Sequence, residues 1–363
     1  MKDNKTRDSI AQDILLNKDI MINFPKVELH RHLEGSMPIK NLFELSNKNK
    51  IGLPENLNDF QKEVQFPRDQ GPDFLLFLSK FRNNYYKSED DVYYITYESV
   101  KNLKNDGIYY IELRFSPEHY CLENNFDRQQ ITKLIIEAGN KAAKDTGIKI
   151  KYLVSFNRNK QTQEEMLSLY NQLKKLKLDD IVGIDLAGDE LNFPPRLFTK
   201  FFSTVFHDGL YKMTIHAGEV TPPEQIWDAI FYLYASRIGH GVATIKDPEL
   251  QLYLKDNGIY LEQCITSNKQ TGAWVDEENH PLGYLFKKGV PVTMNSDDPV
   301  IQNTDLTDDY IKSVKYFDFS LDDLIRINLN ALSGSFLSQD EKKAFASEYI
   351  KKVEDFKKKF MKR

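Results

Sequence analysis

Four of the seven histidines lie in three short segments that each resemble the end of a β-strand. His30 and His32 form a His-x-His pair in VELHRHLEGS, His216 lies in MTIHAGE, and His240 lies in RIGHG. Side chains two positions apart on a strand point to the same face, so the pair can share one ion. A fourth segment, VTMNSDDP, ends in an Asp-Asp pair whose first member is Asp297. This combination of nitrogen and oxygen ligands predicts a catalytic site for a divalent ion such as zinc.

The same segments contain side chains suited to hydrolysis at a metal. The predicted metal ligands are His30, His32, His216 and Asp297. A water on such an ion has a pKa of about 7, so hydroxide is available at neutral pH. Glu219 follows in a short loop, where burial would raise its pKa and make it a general acid. We expect His240 and Asp298 to orient the hydroxide and the substrate.

Each motif is common in isolation in proteins that bind no metal. The His-x-His pair, the HAGE segment, the third histidine segment and the Asp-Asp pair nevertheless follow one another at predicted strands one, five, six and eight. Scattered chance matches would not respect that order. The combination therefore supports a functional site more strongly than any member does.

The elements that must position these residues alternate along the chain. The predicted strands are 27–34, 108–116, 148–156, 181–187, 212–217, 237–240, 259–265 and 290–295, and helix-like stretches include 91–105, 128–145, 161–177, 222–235 and 247–257. Eight βα repeats predict an α/β fold of the (β/α)8 TIM type, and the missing Gly-x-Gly-x-x-Gly after strand one disfavours a dinucleotide-binding sheet. Because such barrels carry function after the carboxyl ends of their strands, the segments should converge on one rim.

The chain is interpreted as one domain, 1–363, with a polar N-terminal extension at 1–24 and a helical insertion at 35–90 after strand one. Within GPDFLLFLSKF, apolar residues recur at helical spacing at Phe74, Phe77, Leu78 and Phe81. Their spacing favours a helix packed on the barrel, and the alternative is a lid over the site, because a long insertion at this end of a barrel is a suitable place for one. The tail EYIKKVEDFKKKFMKR predicts a basic, solvated terminal helix.

Composition excludes several classes of partner. The net charge of -5 and the lack of a clustered basic face argue against nucleic acid, which leaves a small-molecule substrate. The first 24 residues lack the apolar core of a signal peptide, and no apolar run of about 18 residues could cross a membrane. Cys121 and Cys264 are far apart without CxxC spacing, which suits a reducing compartment. We therefore expect a cytoplasmic protein; its oligomeric state cannot be read from these features.

The sequence resembles the adenosine deaminase family of metal-dependent hydrolases, above all its bacterial members. The resemblance rests on VELHRHLEGS, YIELRFSPEHY, GIDLAGDEL, TIHAGE, PEQIWDAI, RIGHG, TSNKQTG and NSDDPVIQ, in order from about residue 25 to about residue 340. It implies a (β/α)8 barrel with one zinc ion per chain. The implied reaction is hydrolytic removal of the 6-amino group of adenosine or 2′-deoxyadenosine, which releases inosine or 2′-deoxyinosine and ammonia.

The resemblance also implies roles for individual residues. The zinc ligands would again be the three histidines and Asp297, with Glu219 as the proton donor to purine N1 and His240 as the partner of the hydroxide. The Gly188 backbone N–H would meet N3, and Asp298 would meet N7. The implied substrate contacts as a whole are His32, Glu34, Gly188, Asp298, Phe74, Phe77, Leu78 and Phe81, the last four forming a hydrophobic gate.

One position departs from the family pattern. The motif HxHLD, whose aspartate binds the ribose 5′-hydroxyl, reads HRHLE here, with Glu34. The HxHLE form also occurs in adenine deaminases and aminodeoxyfutalosine deaminases, so another adenine compound remains an alternative substrate. GIDLAGDEL resembles the nucleoside enzymes, which keeps adenosine first. A silent purine-binding barrel would be expected to have lost a metal ligand or Glu219, and neither is lost.

Overall fold

The fold is seen in a computed structural model that describes residues 7–67 and 70–361. Residues 1–6 of the predicted N-terminal extension lie outside the described residues. The remainder of that extension forms two short helices, and its residues Leu15, Met21 and Phe24 are buried in the main core. The end of the extension is therefore packed against the rest of the molecule.

Within the described residues, eight parallel strands form one sheet in sequential order. The strands are β1 (Lys26–His32), β2 (Ile108–Phe115), β3 (Lys149–Asn157), β4 (Ile181–Ala187), β5 (Lys212–Ala217), β6 (Arg237–His240), β7 (Tyr260–Gln263) and β8 (Val292–Met294). Nearly all of their residues are buried, as expected for parallel strands that face side chains inside a barrel and helices outside it. The predicted (β/α)8 barrel is confirmed.

The first strand and the segment after the last one close the barrel. The Asp297 backbone N–H donates to the carbonyl oxygen of His30 at 3.0 Å, and the His32 N–H donates to the carbonyl oxygen of Asp297 at 2.9 Å. Arg31 and Asp297 form a parallel bridge at the same place. Closure thus brings the His-x-His pair against the Asp-Asp pair, which are more than 260 positions apart in sequence.

Helices follow the strands and surround the barrel. They are α1 (Arg7–Leu16), α2 (Lys18–Met21), α3 (Ile39–Asn49), α4 (Leu57–Val64), α5 (Phe74–Ser79), α6 (Glu89–Asn102), α7 (Pro117–Cys121), α8 (Arg128–Thr146), α9 (Gln163–Leu176), α10 (Thr199–Asp208), α11 (Pro223–Leu233), α12 (Pro248–Asn257), α13 (Ile265–Thr271), α14 (Pro281–Lys287), α15 (Leu306–Phe317), α16 (Leu321–Gly334) and α17 (Gln339–Phe360). Local sequence starts several of them, because Ser88, Thr162, Ser320 and Ser338 each form a capping box with an acid three residues later. No helix in the described part of the chain is long and apolar enough to cross a membrane.

Three element boundaries differ from the predicted ones in ways that matter for function. Strand β1 ends at His32, so Glu34 lies on the loop beyond it. Strand β7 ends at Gln263, and Cys264 is the N-cap of α13 and not the last strand residue. The predicted helix at 71–81 is shorter, since α5 ends at Ser79 and Phe81 follows it. Turn geometry moved each boundary by a few residues.

The C-terminal tail differs from the predicted solvated helix. Helix α17 buries Tyr349, Val353 and Phe356, and the Phe356 ring packs edge-on against Phe24 with ring centroids 5.3 Å apart. Lysines occupy the remaining faces. The many lysines of this segment suggested a solvated helix, but its buried residues recur at helical spacing and form an apolar stripe that packs on the barrel.

Charged side chains also fill the middle of the barrel, below the strand ends. We call the set Glu112, Arg114, Asp185, Arg237 and Glu262 the interior network; all five are fully buried. Arg237 Nη1 lies 2.5 Å from Glu112, and its Nε lies 2.6 Å from Glu262. Arg114 Nη2 lies 2.7 Å from Glu262, and its Nη1 lies 3.3 Å from Asp185. Each carboxylate therefore has a buried cation beside it.

Candidate active site

Six predicted residues meet at the carboxyl ends of the strands. They are His30 and His32 at the end of β1, His216 on β5, His240 at the end of β6, and Asp297 and Asp298 after β8. We call this set, together with Glu219, the rim. The three histidine segments and the Asp-Asp segment were predicted to converge, and in the structure they do.

Four atoms of the rim face one another across a few ångströms. His30 Nε2 lies 3.1 Å from Asp297 Oδ1, and His32 Nε2 lies 3.4 Å from the same oxygen. His32 Nε2 and His216 Nε2 are 3.3 Å apart. His30 Nε2 and Asp297 Oδ1 are buried and have no hydrogen-bond partner. Burying such atoms unsatisfied is costly, so a ligand is expected between them.

Two of these imidazole rings have a carboxylate beside Nδ1, the nitrogen that points away from the facing atoms, and this contact indicates which ring nitrogen carries a proton. His30 Nδ1 lies 2.8 Å from Glu262 Oε2, and His216 Nδ1 lies 2.9 Å from Asp185 Oδ1. A carboxylate can only accept, so both rings carry a proton on Nδ1, and each ring in its neutral form turns an Nε2 lone pair inward. Lone pairs facing a carboxylate repel unless a cation lies between them. Carboxylate partners of this kind are typical of metal-binding histidines.

A second cluster with ligand chemistry, His30, His240 and Cys264, overlaps the first. Two of its three members already have partners, because the Cys264 thiol donates to the Glu262 carbonyl at 3.5 Å and His240 Nδ1 accepts from Asn268 at 3.1 Å. Burial, with nearby carboxylates, also raises the pKa of Cys264 well above its usual range, which keeps the thiol protonated. The donor set of three histidines and Asp297 therefore fits a divalent ion better.

Glu219 lies on the loop after β5, in surroundings that favour its protonated form. Burial raises the pKa of this carboxyl well above its usual range, and the charges of Asp297 and Glu190 add to the effect. Thr271 Oγ1 donates to Glu219 Oε1 at 2.9 Å, and Glu219 Oε2 lies 3.6 Å from His240 Nε2. The Glu219 carboxyl group is therefore held in place beside His240, as a general acid requires.

Asp298 is the second carboxyl that burial keeps protonated. Its pKa is raised well above its usual range by burial and by the adjacent Asp297 charge. A Cβ on Gly35 would lie 1.9 Å from Asp298 Oδ1, so only glycine at that position leaves room for the side chain. Gly35, the glycine of the HRHLEGS motif, thus leaves the space that the Asp298 side chain occupies where β1 and the segment after β8 meet.

Two rim residues adopt a backbone conformation that L-residues other than glycine rarely use. His240 has φ of 58° and Asp297 has φ of 65°. Such left-handed residues cost free energy and persist where the surrounding structure holds them, often at functional sites. The Gln263 side chain holds the His240 carbonyl oxygen through a short hydrogen bond. The direction of both side chains is therefore set by the fold.

A cavity of about 910 Å³, including the part open to solvent, lies above these residues. The predicted residues that line it are His32, Glu34, Phe74, Phe77, Leu78, Phe81, Gly188, His216, Glu219, His240, Asp297 and Asp298. Helix α5 supplies the apolar side, and Phe77 packs with Phe66 and Ile301 in a cluster separate from the main core. That location is compatible with the predicted lid.

Further residues, which were not predicted from the sequence, also line the cavity. They are Ser116, Glu118 and His119 after β2, Ser155, Phe156, Asn157, Asn159 and Lys160 at the end of β3, Ala187, and Thr271 on α13. His119 was not among the predicted site residues, but it lies against the cavity. Most of these residues follow strand ends, so applying the strand-end rule to β2 and β3 would have found them.

Glu34 lies at the side of the cavity where strand β2 ends. The Ser116 backbone N–H donates to Glu34 Oε1 at 2.7 Å. Burial raises the pKa of Glu34 to about 7, and the hydrogen bond and the nearby Lys160 ammonium act in the opposite direction. The departure from the family motif is therefore inside the cavity, where it can contact a ligand.

Known proteins share this architecture. The structure is similar to that of an adenine deaminase from Arthrobacter aurescens, with 25% identity, a TM-score of 0.83 and coverage of 91% of this chain and 99% of that one. It is also similar in fold to a zinc-bound amidohydrolase from Burkholderia ambifaria, with 23% identity, a TM-score of 0.84 and coverage of 94% of each chain.

Sequence comparison is more specific. The adenosine deaminase of Pectobacterium atrosepticum is 32% identical over 339 residues, which cover 92% of this chain and 98% of that protein. The family model described as adenosine deaminase matches residues 25–352. The resemblance drawn from the motifs is confirmed, and the chain belongs to the adenosine deaminase family.

Proposed function

We propose that this protein is a metal-dependent hydrolase that deaminates adenosine and 2′-deoxyadenosine in purine salvage. The observation that carries the proposal is a cluster of four facing ligand atoms with a buried Glu219, whose pKa is raised, in a member of the adenosine deaminase family. We place the enzyme in the cytoplasm, in keeping with two free cysteines, Cys121 and Cys264.

We propose one zinc ion per chain. Its ligands would be His30 Nε2, His32 Nε2, His216 Nε2 and a carboxylate oxygen of Asp297, which all lie within 4.8 Å of one another. When bound, such an ion supplies Lewis acidity that lowers the pKa of a water molecule. The chain's own contribution is to keep the lone pairs directed inward through Glu262 and Asp185.

The purine ring is proposed to bind with N1 toward Glu219 and N7 toward Asp298. Glu219 donates its proton to N1, which weakens the aromatic ring and makes C6 electrophilic toward water. Asp298, also protonated, can donate a hydrogen bond to the N7 acceptor. Water adds to C6 to form a tetrahedral carbon, one of its protons leaves with the amino group as ammonia, the other restores the Glu219 carboxyl, and the 6-oxopurine product remains. Each carboxyl group acts as a donor because burial has kept its proton in place.

Helix α5 is proposed to act as the lid. Phe74 and Phe77 are buried and line the cavity with Leu78 and Phe81, whereas Leu75 on the opposite face is 53% exposed. An apolar cover of this kind excludes bulk water from the developing charge. The satellite cluster around Phe77 allows α5 to move without disturbing the main core.

Adenosine is the proposed substrate, and Glu34 defines the competing one. A glutamate reaches further than the family's aspartate, so it can contact the 5′-hydroxyl of adenosine or leave no space for it. Lys160 lines the same cavity and offers a cation to a 5′-extended adenine compound. Adenine or such a compound is thus the second candidate, favoured by these two side chains.

A substrate panel tests the proposal. Purified zinc-loaded protein should lower the absorbance of the adenine band on addition of adenosine or 2′-deoxyadenosine, with a higher kcat/KM than for adenine or 5′-substituted adenosines. Substrate discrimination is the ratio of these values. Chelation should abolish turnover and zinc should restore it. Higher kcat/KM for adenine would favour the second candidate, and no turnover of any adenine compound by metal-loaded protein would refute the deaminase proposal.

A further inference from the structure

Behind His240, two buried side chains lie outside the substrate cavity and form a line that leads away from it. Asn268 on α13 is fully buried, and His280, the N-cap of α14, is 2% exposed. Neither was predicted to belong to the site. Neither residue lines the cavity, so any effect on the reaction must pass through a residue that does.

Three hydrogen bonds form this line and connect it to His240, and the Asn268 amide also donates to Glu219 Oε1 at 3.5 Å. The Leu282 backbone N–H donates to His280 Nδ1 at 3.2 Å. His280 Nε2 lies 3.1 Å from Asn268 Oδ1, and Asn268 Nδ2 lies 3.1 Å from His240 Nδ1. All three side chains are buried, so water does not compete for these contacts.

The direction of the line follows from its first member. A backbone N–H can only donate, so His280 Nδ1 must accept. Burial, with the Lys312 charge, lowers the pKa of His280 to about 3, so the ring is neutral and has one proton, on Nε2. That N–H requires the amide oxygen of Asn268, which turns the amide NH₂ toward His240. His240 Nδ1 must then accept as well.

The remaining nitrogen of His240 faces the reaction centre. His240 Nε2 lies 3.6 Å from Glu219 Oε2 and 4.0 Å from Asp297 Oδ2. Because Nδ1 is occupied as an acceptor, the proton of the neutral ring is on Nε2. An Nε2–H in this position can donate a hydrogen bond to an oxygen between the two carboxyl groups but cannot remove a proton from it.

We propose that His280 and Asn268 are positioning residues that hold His240 as its Nε2–H tautomer, so that His240 orients the attacking water as a hydrogen-bond donor and is not the general base. The role in orienting water rests on the proposed deaminase function, whereas the tautomer does not. The backbone N–H of Leu282 can only donate, so it fixes which partner donates and which accepts in every hydrogen bond of the line. Rotating the Asn268 amide by 180° would lose two of these hydrogen bonds.

The test is the tautomer of His240 in the zinc-loaded full chain labelled with ¹⁵N-histidine. Two-dimensional NMR that correlates ring nitrogens with ring carbon-bound protons should show a protonated Nε2 and an unprotonated Nδ1. The His240→Gln variant assigns the signal by its loss. A protonated Nδ1 in the parent protein would overturn the proposal, whether or not the protein turns over adenosine. Absent deaminase activity with the expected tautomer would instead refute the proposed function.

Asn268→Asp supplies the sharpest variant, because both carboxylate oxygens accept and His240 must then donate from Nδ1. We expect the tautomer to switch and kcat to fall about 10²- to 10⁴-fold, the range for a misplaced catalytic tautomer, with a much smaller change in KM. The matched control is Asn328→Asp, which puts a carboxylate at another fully buried amide that bonds Val27 and Tyr310. It should leave both the tautomer and kcat unchanged.

His280 provides the test if Asn268→Asp does not fold. His280→Phe removes the N–H, frees the amide to rotate, and should give a mixture of His240 tautomers with reduced kcat. His280→Gln keeps an N–H donor and should recover most of the lost kcat and the single Nε2–H signal. Equal tautomer populations in parent, His280→Phe and His280→Gln proteins would refute the positioning role.

Discussion

The rim and the interior network are both buried but use their charges in opposite ways. In the interior network Arg114 and Arg237 each lie against two carboxylates, at distances from 2.5 to 3.3 Å. On the rim, His30 Nε2, Asp297 Oδ1 and Asp298 Oδ1 are buried without a hydrogen-bond partner. Paired charge holds the barrel together, whereas unpaired acceptors indicate where something else must bind.

The two regions also set proton positions differently. Two arginines lower the pKa of Glu262 well below its usual range, against the effect of burial, so the carboxylate stays charged. Glu219 has no cation beside it, and burial raises its pKa and keeps its proton. The chain therefore contains two buried glutamates whose pKa values are shifted in opposite directions. The presence or absence of an arginine decides which role each can take.

Among these tests of the difference between the rim and the interior network, Glu219→Gln is expected to have the largest effect on activity. The amide is close in shape to the protonated carboxyl but cannot deliver a proton, so kcat/KM should fall about 10²- to 10⁴-fold. The free energy of unfolding should not decrease, because no paired charge is lost. Adenosine turnover and urea unfolding measure the two quantities. Glu224→Gln, at an exposed position on α11, is the control; near-parental turnover by the Glu219 variant would contradict the general-acid role.

The opposite result is expected from Arg237→Met in the interior network. Removing the cation leaves Glu112 and Glu262 short of a partner in a buried site, which typically costs about 3–5 kcal/mol. Urea unfolding of the metal-loaded protein should show this loss, while kcat of the folded fraction changes far less. The double variant Arg237→Met with Glu112→Leu should recover part of the stability. A loss below about 1 kcal/mol would show that the interior pairing is not needed for stability.

Asp185→Asn tests the junction between the two regions, since Asp185 contacts both Arg114 and His216. Losing the carboxylate that fixes the His216 ring should weaken metal binding about 10- to 100-fold. Competition with a chelator gives the dissociation constant. Asp180→Asn, at a partly exposed carboxylate on the outer surface, is the matched control. Unchanged metal affinity in Asp185→Asn would show that the interior network does not influence metal binding at the rim.

The smallest effect concerns substrate choice at Glu34. Shortening the side chain in Glu34→Asp should change the ratio of kcat/KM for adenosine over 5′-deoxyadenosine about 10-fold, roughly the value of one hydrogen bond. The metal content should stay the same. Glu55→Asp, exposed in the insertion after β1, controls for the substitution itself. A ratio identical to that of the parent would remove Glu34 from the 5′ contact.

Much of the rim could be predicted because each of its residues lies at the end of a strand within a short recognisable segment. His30 and His32 share a face through the period of the strand, and Glu219 follows His216 in one turn. Such relations are local, so the sequence carries them directly. The alternation of strands and helices then implies a barrel, and a barrel brings its strand ends together.

The interior network and the line behind His240 could not be predicted in the same way. Arg114, Asp185 and Glu262 are separated by more than 70 positions from one another, and each stands in a mainly apolar strand segment. A single charge in such a segment gives no indication of its partner. His280 likewise has no local relation to Asn268 that would indicate a hydrogen bond.

The sequence by itself determined the family, the barrel and the rim residues, because strand period and segment order are properties of the chain. Only the tertiary structure decided which rim atoms lack a partner, which carboxyl groups keep a proton, and which nitrogen of His240 faces the substrate. Those properties depend on burial and on contacts between distant strands. Contacts in the closed barrel, and not positions along the chain, therefore decide which buried polar residues stabilise the fold and which are free to bind a ligand.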